Sequence, residues 1–206
     1  TGMILTDVWG LYKADKQIQG YSQQTLKAYY VQFNLLVNSF GNISIQELST
    51  NSLKVYLGKV AEKLKPSSLG HRIRFIKSLF RWAQDENLIN GNPASKIKEP
   101  KLELRVPKYL SEEEIEHLRE ACHTTFENAL FEFMYSTGCR IGEAITLDRA
   151  SINFSNQSAI VLGKGQKERE VYFNTRCEIW LKRYLNERKD QEEALFVTTR
   201  APHRMS

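Results

Sequence analysis

The sequence predicts a mainly α-helical protein of two domains, in which a four-helix N-terminal domain precedes an α+β region with a small β-hairpin sheet. Two observations predict this division. Apolar residues recur at helical spacing through the first hundred residues, whereas two short strand-like runs flank a glycine-rich turn later on. Glu99–Lys108 carries charges and two prolines without periodicity. We therefore place the first domain at 1–100, a linker at 101–108 and the second region at 109–206.

Capping residues and helix breakers delimit four helices in the first domain. A serine or threonine before an apolar-periodic run can accept a hydrogen bond from the first turn. Proline is tolerated at a helix start because the N–H that it lacks has no partner there. The predicted helices are 7–19 capped by Thr6, 23–39 capped by Ser22, one that opens at Thr50, and 68–86 introduced by Pro66-Ser67.

The second region mixes helices and strands. Ser111 and Glu114 match a capping box, which predicts a helix that runs to about Cys122. The glycine-rich segment 163–168 is expected to be a hairpin turn between two strands. The other predicted elements are an apolar, buried helix over 126–136, strands over 158–162 and 169–173, a helix over 175–189, and a short apolar run at 195–197.

The basic charge belongs to the first half of the chain. Residues 1–100 hold 13 Lys and Arg against 7 Asp and Glu, while residues 101–206 hold 16 against 17. Within the first half, residues 63–84 carry six Lys and Arg and no carboxylate. An excess of this kind is expected of a surface that binds nucleic-acid phosphates, although an ordinary solvated surface could give the same counts.

The fourth helix places its cations opposite its apolar face. At about 100° per residue, Arg74, Lys77 and Arg81 fall within an arc of about 60°. We call these three residues the basic ridge and expect them to contact DNA phosphates. A normal solvated face would mix charge signs, and this one does not. The further candidate DNA contacts are Lys63, Lys65, His71 and Arg72, of which Arg72 falls inside the apolar arc.

The segment Thr137-Gly138-Cys139-Arg140-Ile141-Gly142-Glu143 is the most informative one. An apolar helix is expected to end at Thr137-Gly138, and a second helix to begin with Arg140 in its first turn. Unpaired backbone N–H groups at such a start favour phosphate binding. Glu143 lies three residues on, where it can brace Arg140 or cap the helix. Taken alone, the pair could equally be a surface i,i+3 ion pair.

This segment resembles the Thr-Gly-x-Arg-x-x-Glu motif of the tyrosine recombinase (phage integrase) family. The downstream run Gly163-Lys164-Gly165-Gln166-Lys167-Glu168-Arg169 resembles the family's Gly-Lys-Gly-x-Lys-x-Arg hairpin. The resemblance implies a SAM-like core-binding domain followed by the first half of a catalytic domain. It implies site-specific DNA recombination or integration through a 3′-phosphotyrosyl intermediate, on double-stranded DNA, by a tetramer, with no metal and no cofactor.

The resemblance also implies roles for particular residues. Arg140 matches the first catalytic arginine, which stabilises phosphate charge, and Lys164 matches the hairpin lysine, which protonates the leaving 5′ oxygen. Glu143 is expected to support Arg140. Lys167 and Arg169 are expected to contact the DNA backbone or to stabilise the hairpin.

Downstream of the hairpin, the family pattern requires a His-x-x-Arg segment, a further His or Trp and the nucleophilic tyrosine. None is recognisable, since His203 and Arg204 are adjacent, and neither Tyr172 nor Tyr184 has a nucleophile context. We therefore expect the chain to stop within the catalytic domain, to bind DNA weakly and not to cleave it.

Other features restrict the cellular setting and leave two alternatives. Three widely spaced cysteines favour neither a disulfide framework nor a zinc site, and no apolar run is long enough to span a membrane. A cytoplasmic, nucleoid-associated protein is expected. One alternative is a non-catalytic DNA-binding regulatory protein derived from a recombinase. The other is an unrelated helical protein that binds RNA or a protein partner.

Overall fold

A computed structural model of the protein describes residues 2–102, 106–163, 165 and 167–205. The chain divides into two compact units, Thr1–Val106 and Pro107–Ser206. The division falls between residues 106 and 107, within the segment that the sequence marks as a linker. Each unit has a hydrophobic core of its own.

The first unit contains the four helices expected from the sequence. They are α1 Leu5–Ile18, α2 Gln23–Phe40, α3 Thr50–Ala61 and α4 Pro66–Asp85. Ser22 caps α2 by accepting a hydrogen bond from the Thr25 amide, as predicted. The cap predicted at Thr6 is wrong, because α1 already begins at Leu5. Thr6 instead bonds Asn42 twice: its amide donates to Asn42 Oδ1 and its hydroxyl accepts from Asn42 Nδ2, both at 3.0 Å.

Aromatic packing in the first unit fixes which face of α4 is buried. Tyr12 of α1 is fully buried and meets the Trp82 ring edge-on at a centroid distance of 5.4 Å. The Tyr12 hydroxyl also lies 2.7 Å from the Ser78 hydroxyl. Buried aromatic rings of this size contribute large apolar areas, so the orientation of α4 is strongly determined. The predicted apolar stripe of α4 is therefore inward, and the opposite face is left to solvent.

The second unit combines helices with a small antiparallel sheet. Its helices are α5 Glu112–Glu120, α6 Thr125–Thr137, the single turn α7 Ile141–Ala144, and α8 Thr175–Glu187. Its strands are β1 Ile152–Asn153, β2 Ser158–Leu162 and β3 Glu168–Tyr172, in that order across the sheet. The capping box of Ser111 and Glu114 is confirmed. The two-residue strand β1 was not predicted, because two residues carry no measurable alternation.

Helix α6 is less buried than its composition suggested. Only Ala129, Glu132 and Phe133 are buried, whereas Tyr135 is about half exposed. Phe133 packs near Phe196, whose run 195–197 lies in the core of this unit. Helix α8 packs against α6 and contributes Leu181, which is fully buried, to the same core. This packing holds the end of α6 in place, and the candidate site begins there.

Candidate active site and nucleic-acid interface

The turn between α6 and α7 places Arg140. Gly138 ends α6 with a left-handed backbone, φ 62°, which a residue with a side chain rarely adopts. The Cys139 amide then donates to the Thr137 hydroxyl at 3.3 Å. Arg140 follows in an extended conformation as the N-cap residue of α7, one position before the helix in which it was expected. Because α7 is a single turn, the arginine side chain is the feature of this segment that can bind a ligand.

The buried carboxylate of Glu143 accepts hydrogen bonds from two arginines. Its Oε2 accepts the Arg140 backbone amide at 2.8 Å, and its Oε1 accepts the Arg140 guanidinium at 3.1 Å. The two Nη atoms of Arg169 donate to Oε1 and Oε2 at 2.8 and 2.7 Å. The Glu143 side chain is only 6% exposed, whereas that of Arg140 is 77% exposed. We call Arg140, Glu143 and Arg169 the Glu143 cluster.

The charges in this cluster fix the ionisation of Glu143. Hydrogen bonds from Arg169, and then from the Arg140 amide and side chain, lower the pKa of Glu143 from 4.5 to about 2. The same contact raises the pKa of Arg169. Glu143 is therefore an anion at neutral pH and balances one of the two positive charges. A net positive charge remains at the open side of the cluster, as a phosphate site requires.

The hairpin that resembles the family's lysine hairpin reaches the same cluster. Arg169 lies on β3 opposite Val161 of β2. The Gly163 amide donates to the Lys167 carbonyl at 2.8 Å and closes the turn. Lys167 is exposed. Lys164, the predicted proton donor, lies outside the described residues, so its predicted role stays a prediction.

Arg169 was expected to contact the DNA backbone or to stabilise the hairpin. Its bidentate contact with Glu143, in which each Nη atom gives one N–H to the carboxylate, agrees with the second expectation. The support role expected of Glu143 also fits the geometry, since Glu143 braces Arg140 and caps α7 at once.

A second buried carboxylate, Glu132 on α6, has the same arrangement and was missed by sequence reasoning. Arg119 of α5 donates to Glu132 through Nε at 2.6 Å, and Arg176 of α8 lies 3.3 Å away. The Glu132 side chain is 1% exposed. We call these residues the Glu132 cluster. The signal for it was a glutamate in the middle of an apolar helix, at position 132. Glu132 binds α5 to the unit, which matters because α5 buries none of its own residues.

The basic ridge of α4 is open to solvent over part of its length. Arg81 is exposed and Lys77 is half-buried. Within the described ranges, neither forms an ion pair. Arg74 differs, because its Nε lies 3.8 Å from Glu99 Oε2 and its Nη2 lies 3.3 Å from His71 Nδ1. Glu99 therefore faces the N-terminal part of the ridge.

The remaining candidate DNA contacts divide into two groups. Lys63, Lys65 and His71 are exposed around the start of α4. Arg72 is instead turned inward, where its Nε donates to Gln32 Oε1 at 3.2 Å and its Nη1 to the Tyr56 hydroxyl at 3.3 Å. Arg72 therefore stabilises the packing of α4 on α2 and α3, and we withdraw it from the set of DNA contacts.

The described residues contain no group of three or more His, Cys, Asp or Glu side chains placed to hold a metal ion. In the same residues, no helix has both the length and the apolar character needed to cross a membrane.

Comparison with known proteins places both units in one family. The phage integrase family model matches residues 108–206, and the model of the phage integrase N-terminal SAM-like domain matches residues 15–87. The chain therefore belongs to the phage integrase family of tyrosine recombinases. The family and the fold predicted from the sequence are confirmed.

Among curated relatives, the chain is similar to tyrosine recombinases XerC. It is 30% identical to that of Treponema denticola over 74% of this chain and 52% of the relative. It is 27% identical to that of Bacillus subtilis over 90% of this chain and 63% of the relative. The chain thus spans between half and two thirds of the length of these relatives.

Two solved structures share the fold. A lambda integrase tetramer bound to a Holliday junction matches with a TM-score of 0.78 and 18% identity, over 100% of this chain and 62% of the other. The Tn1549 transposon integrase with a circular intermediate DNA matches with a TM-score of 0.75 and 16% identity, over 100% of this chain and 74% of the other.

Proposed function

We propose that this chain is the DNA-binding and phosphate-binding part of a site-specific tyrosine recombinase. One observation carries the proposal: the buried carboxylate of Glu143 holds Arg140 and the strand of the lysine hairpin together. A surface ion pair would need neither the burial of Glu143 nor its second arginine. The arrangement fits a site in which an arginine must keep one orientation while it binds an anion.

In the proposed reaction, a tyrosine attacks a DNA phosphodiester, forms a 3′-phosphotyrosyl bond and releases a 5′ hydroxyl. Arg140 stabilises the charge that grows on the non-bridging oxygens, because its planar guanidinium can donate to two of them. Lys164 gives its proton to the departing 5′ oxygen, a transfer typically worth about 10²–10⁴ in rate. We propose that this reaction uses neither a metal nor a cofactor.

The DNA contacts are proposed for the basic side chains that α4 and its start present to solvent, which are Lys63, Lys65, His71, Arg74, Lys77 and Arg81, together with Lys167 of the hairpin. Clustered cations without carboxylate partners neutralise phosphates and release counterions. Arg74, whose Nε lies 3.8 Å from Glu99 Oε2, still has guanidinium N–H groups to donate to a phosphate. The first domain, residues 1–100, would hold the DNA, and residues 109–206 would bring Arg140 to one phosphate.

Charge reversal on the basic ridge tests the DNA contact. Lys77→Glu with Arg81→Glu should lower the affinity for double-stranded DNA at least tenfold, since two phosphate contacts become repulsive. Lys54→Glu is the control, because Lys54 is exposed on α3 and lies outside the ridge. Equal affinities of the ridge variant and the control would favour the alternative of an unrelated helical protein that binds RNA or a protein partner.

We also propose that these 206 residues do not cleave DNA by themselves, because they contain no tyrosine in a nucleophile context. A nicked suicide substrate should therefore yield no covalent protein–DNA adduct with this chain. An adduct would contradict this part of the proposal. A chain extended to include a nucleophilic tyrosine should form one, whereas a non-catalytic DNA-binding regulator would not.

The cellular location and the oligomeric state of the full-length protein are proposed from its membership of the recombinase family. A recombinase acts on chromosomal or mobile DNA, so we place this one in the cytoplasm with the nucleoid. We propose that the full-length protein assembles as a tetramer on paired recombination sites. Cross-linking of the full-length protein on DNA should then give a four-subunit product, and a product no larger than a dimer would contradict the tetramer.

A further inference from the structure

Arg169 is placed to orient another side chain. Both of its Nη atoms donate to Glu143, one to each carboxylate oxygen, at 2.8 and 2.7 Å. A bidentate pair of this kind fixes the plane of the carboxylate as well as its position. Because the Glu143 side chain is 6% exposed, water offers it few competing hydrogen bonds.

The fixed carboxylate in turn orients Arg140. Glu143 accepts the Arg140 backbone amide with one oxygen and its guanidinium with the other. Rotation of the carboxylate would break at least one of these two bonds. Arg140 is otherwise 77% exposed, and among the described residues its guanidinium has no other hydrogen-bond partner. Its orientation therefore depends on Glu143, and that of Glu143 depends on Arg169.

The turn of the hairpin lies against the same two side chains, Arg169 and Glu143. A Cβ atom added to Gly163 would lie 3.3 Å from Arg169 Nη1 and 3.7 Å from Glu143 Oε1. The base of the turn, immediately before Lys164 in sequence, thus packs directly on the Arg169–Glu143 pair. A Cβ atom at position 163 would require small shifts of Arg169 Nη1 and of the Lys167 carbonyl, which is also 3.3 Å away.

We propose that Arg169 is a positioning residue that acts through Glu143 to orient Arg140 and to hold the lysine hairpin against the Arg140 segment. The proposal rests on the proposed function, since it assumes that Arg140 binds a phosphate. It assigns to one arginine both the orientation of Arg140 and the contact with Gly163 at the base of the hairpin turn. It also removes Arg169 from the set of DNA contacts.

The test uses this chain and inorganic orthovanadate, a phosphate analogue. Binding is followed by NMR through the Nε–Hε signal of Arg140, which is assigned by its loss in Arg140→Lys. In that variant, binding is followed through the backbone amides of residues 138–143. Arg169→Met removes both bonds to Glu143, and Arg169→Lys keeps the charge but only one bond. The matched control is Arg176→Met, because Arg176 also pairs with a buried glutamate of this unit and is similarly exposed, 53% against 42%.

We expect Arg169→Met to weaken vanadate binding about tenfold and Arg169→Lys to fall between it and the unmodified chain. Arg176→Met should stay within about twofold of the unmodified chain. On a Glu143→Gln background, Arg169→Met should cause no further loss, because its effect passes through that carboxylate.

The outcomes separate this inference from the proposed function. If Arg140→Lys abolishes binding and Arg169→Met does not change it, the positioning role is wrong and the phosphate site stands. If Arg140→Lys leaves binding unchanged, the phosphate site itself is wrong. Should Arg169→Met fail to fold, Arg169→Lys is compared with Arg176→Lys. A loss only in the former supports the inference, and equal effects overturn it.

Discussion

The two units hold their cations in opposite ways. On α4, Lys77 and Arg81 form no ion pair within the described parts of the chain. Their side chains can therefore adjust to the position of a flexible polyanion. In the second unit, Arg140 and Arg169 are held by a buried carboxylate, and Arg119 and Arg176 by another. Open cations suit the binding of a long polyanion, whereas held cations suit the placement of one phosphate.

This difference has an energetic cost. Burying Glu143 or Glu132 removes a carboxylate from water, and the cost is offset only while both arginines remain in place. Lys77 and Arg81 of the basic ridge have no such partner among the described residues, so they can be changed without loss of the fold. Mutations in the second unit should therefore affect stability and the site together, and mutations on the ridge should affect DNA affinity alone.

The largest stability effect is expected from Glu132→Ala. It leaves Arg119, which is 13% exposed, without its buried partner. The free energy of unfolding of the second unit should fall by about 3–5 kcal/mol in a denaturant titration. Glu116→Ala is the control, because Glu116 also pairs with Arg119 but is 56% exposed, and its loss should cost less than about 1 kcal/mol. Similar losses in the two variants would show that burial is not what matters.

A smaller loss of unfolding free energy is expected from Glu143→Gln. The amide cannot accept both arginines as the carboxylate does, but the arginines are 77% and 42% exposed and can be solvated by water. Unfolding should become easier by about 2 kcal/mol. A change below about 0.5 kcal/mol would mean that the Glu143 cluster does not hold together in solution.

Lowering the pH should remove the difference in unfolding free energy between Glu143→Gln and the unmodified chain. The folded protein holds the pKa of Glu143 at about 2, below its ordinary value of 4.5. The stabilisation is therefore complete above about pH 4.5 and is lost as the pH falls toward about 2. Unfolding free energies at pH 7, 4 and 3 should converge for the two proteins. A gap that stays constant over this range would contradict the charged contact.

The smallest stability effect is expected on the ridge. Arg81→Gln should change the unfolding free energy by no more than about 0.5 kcal/mol, because Arg81 is exposed and no ion pair involves it in the described residues. Thermal unfolding of Arg81→Gln, with Lys54→Gln as the control variant, measures this change in stability. A loss above about 1 kcal/mol would show that the ridge supports the fold and would weaken the contrast between the units.

The sequence predicted the helices and the hairpin well, because periodicity and caps act locally. Ser22, Ser111 and the strand 158–162 fell where expected. The cap at Thr6 failed, because a residue 36 positions away, Asn42, provides its hydrogen bonds instead. Such a tertiary contact leaves no local signal.

The candidate site was predictable in part. Arg140 and Glu143 are three residues apart, so their pairing could be foreseen from helical spacing. The contact of Glu143 with Arg169 spans 26 residues and depends on the register of β2 and β3. The same limit applies to the Glu132 cluster, which joins α5, α6 and α8. Spacing predicts neighbours along a helix but not partners across the fold.

The salt dependence of DNA binding tests the contrast between the units most directly. A plot of log affinity against log salt concentration should become shallower by about 0.9 in Arg81→Gln, because one phosphate contact is lost. On an Arg140→Gln background, Arg169→Gln should leave the slope unchanged, because the one phosphate contact that Arg169 supports has already been removed. If Arg169→Gln reduces the slope on that background as much as Arg81→Gln does in the unmodified chain, Arg169 is itself a DNA contact and the contrast between the two units fails.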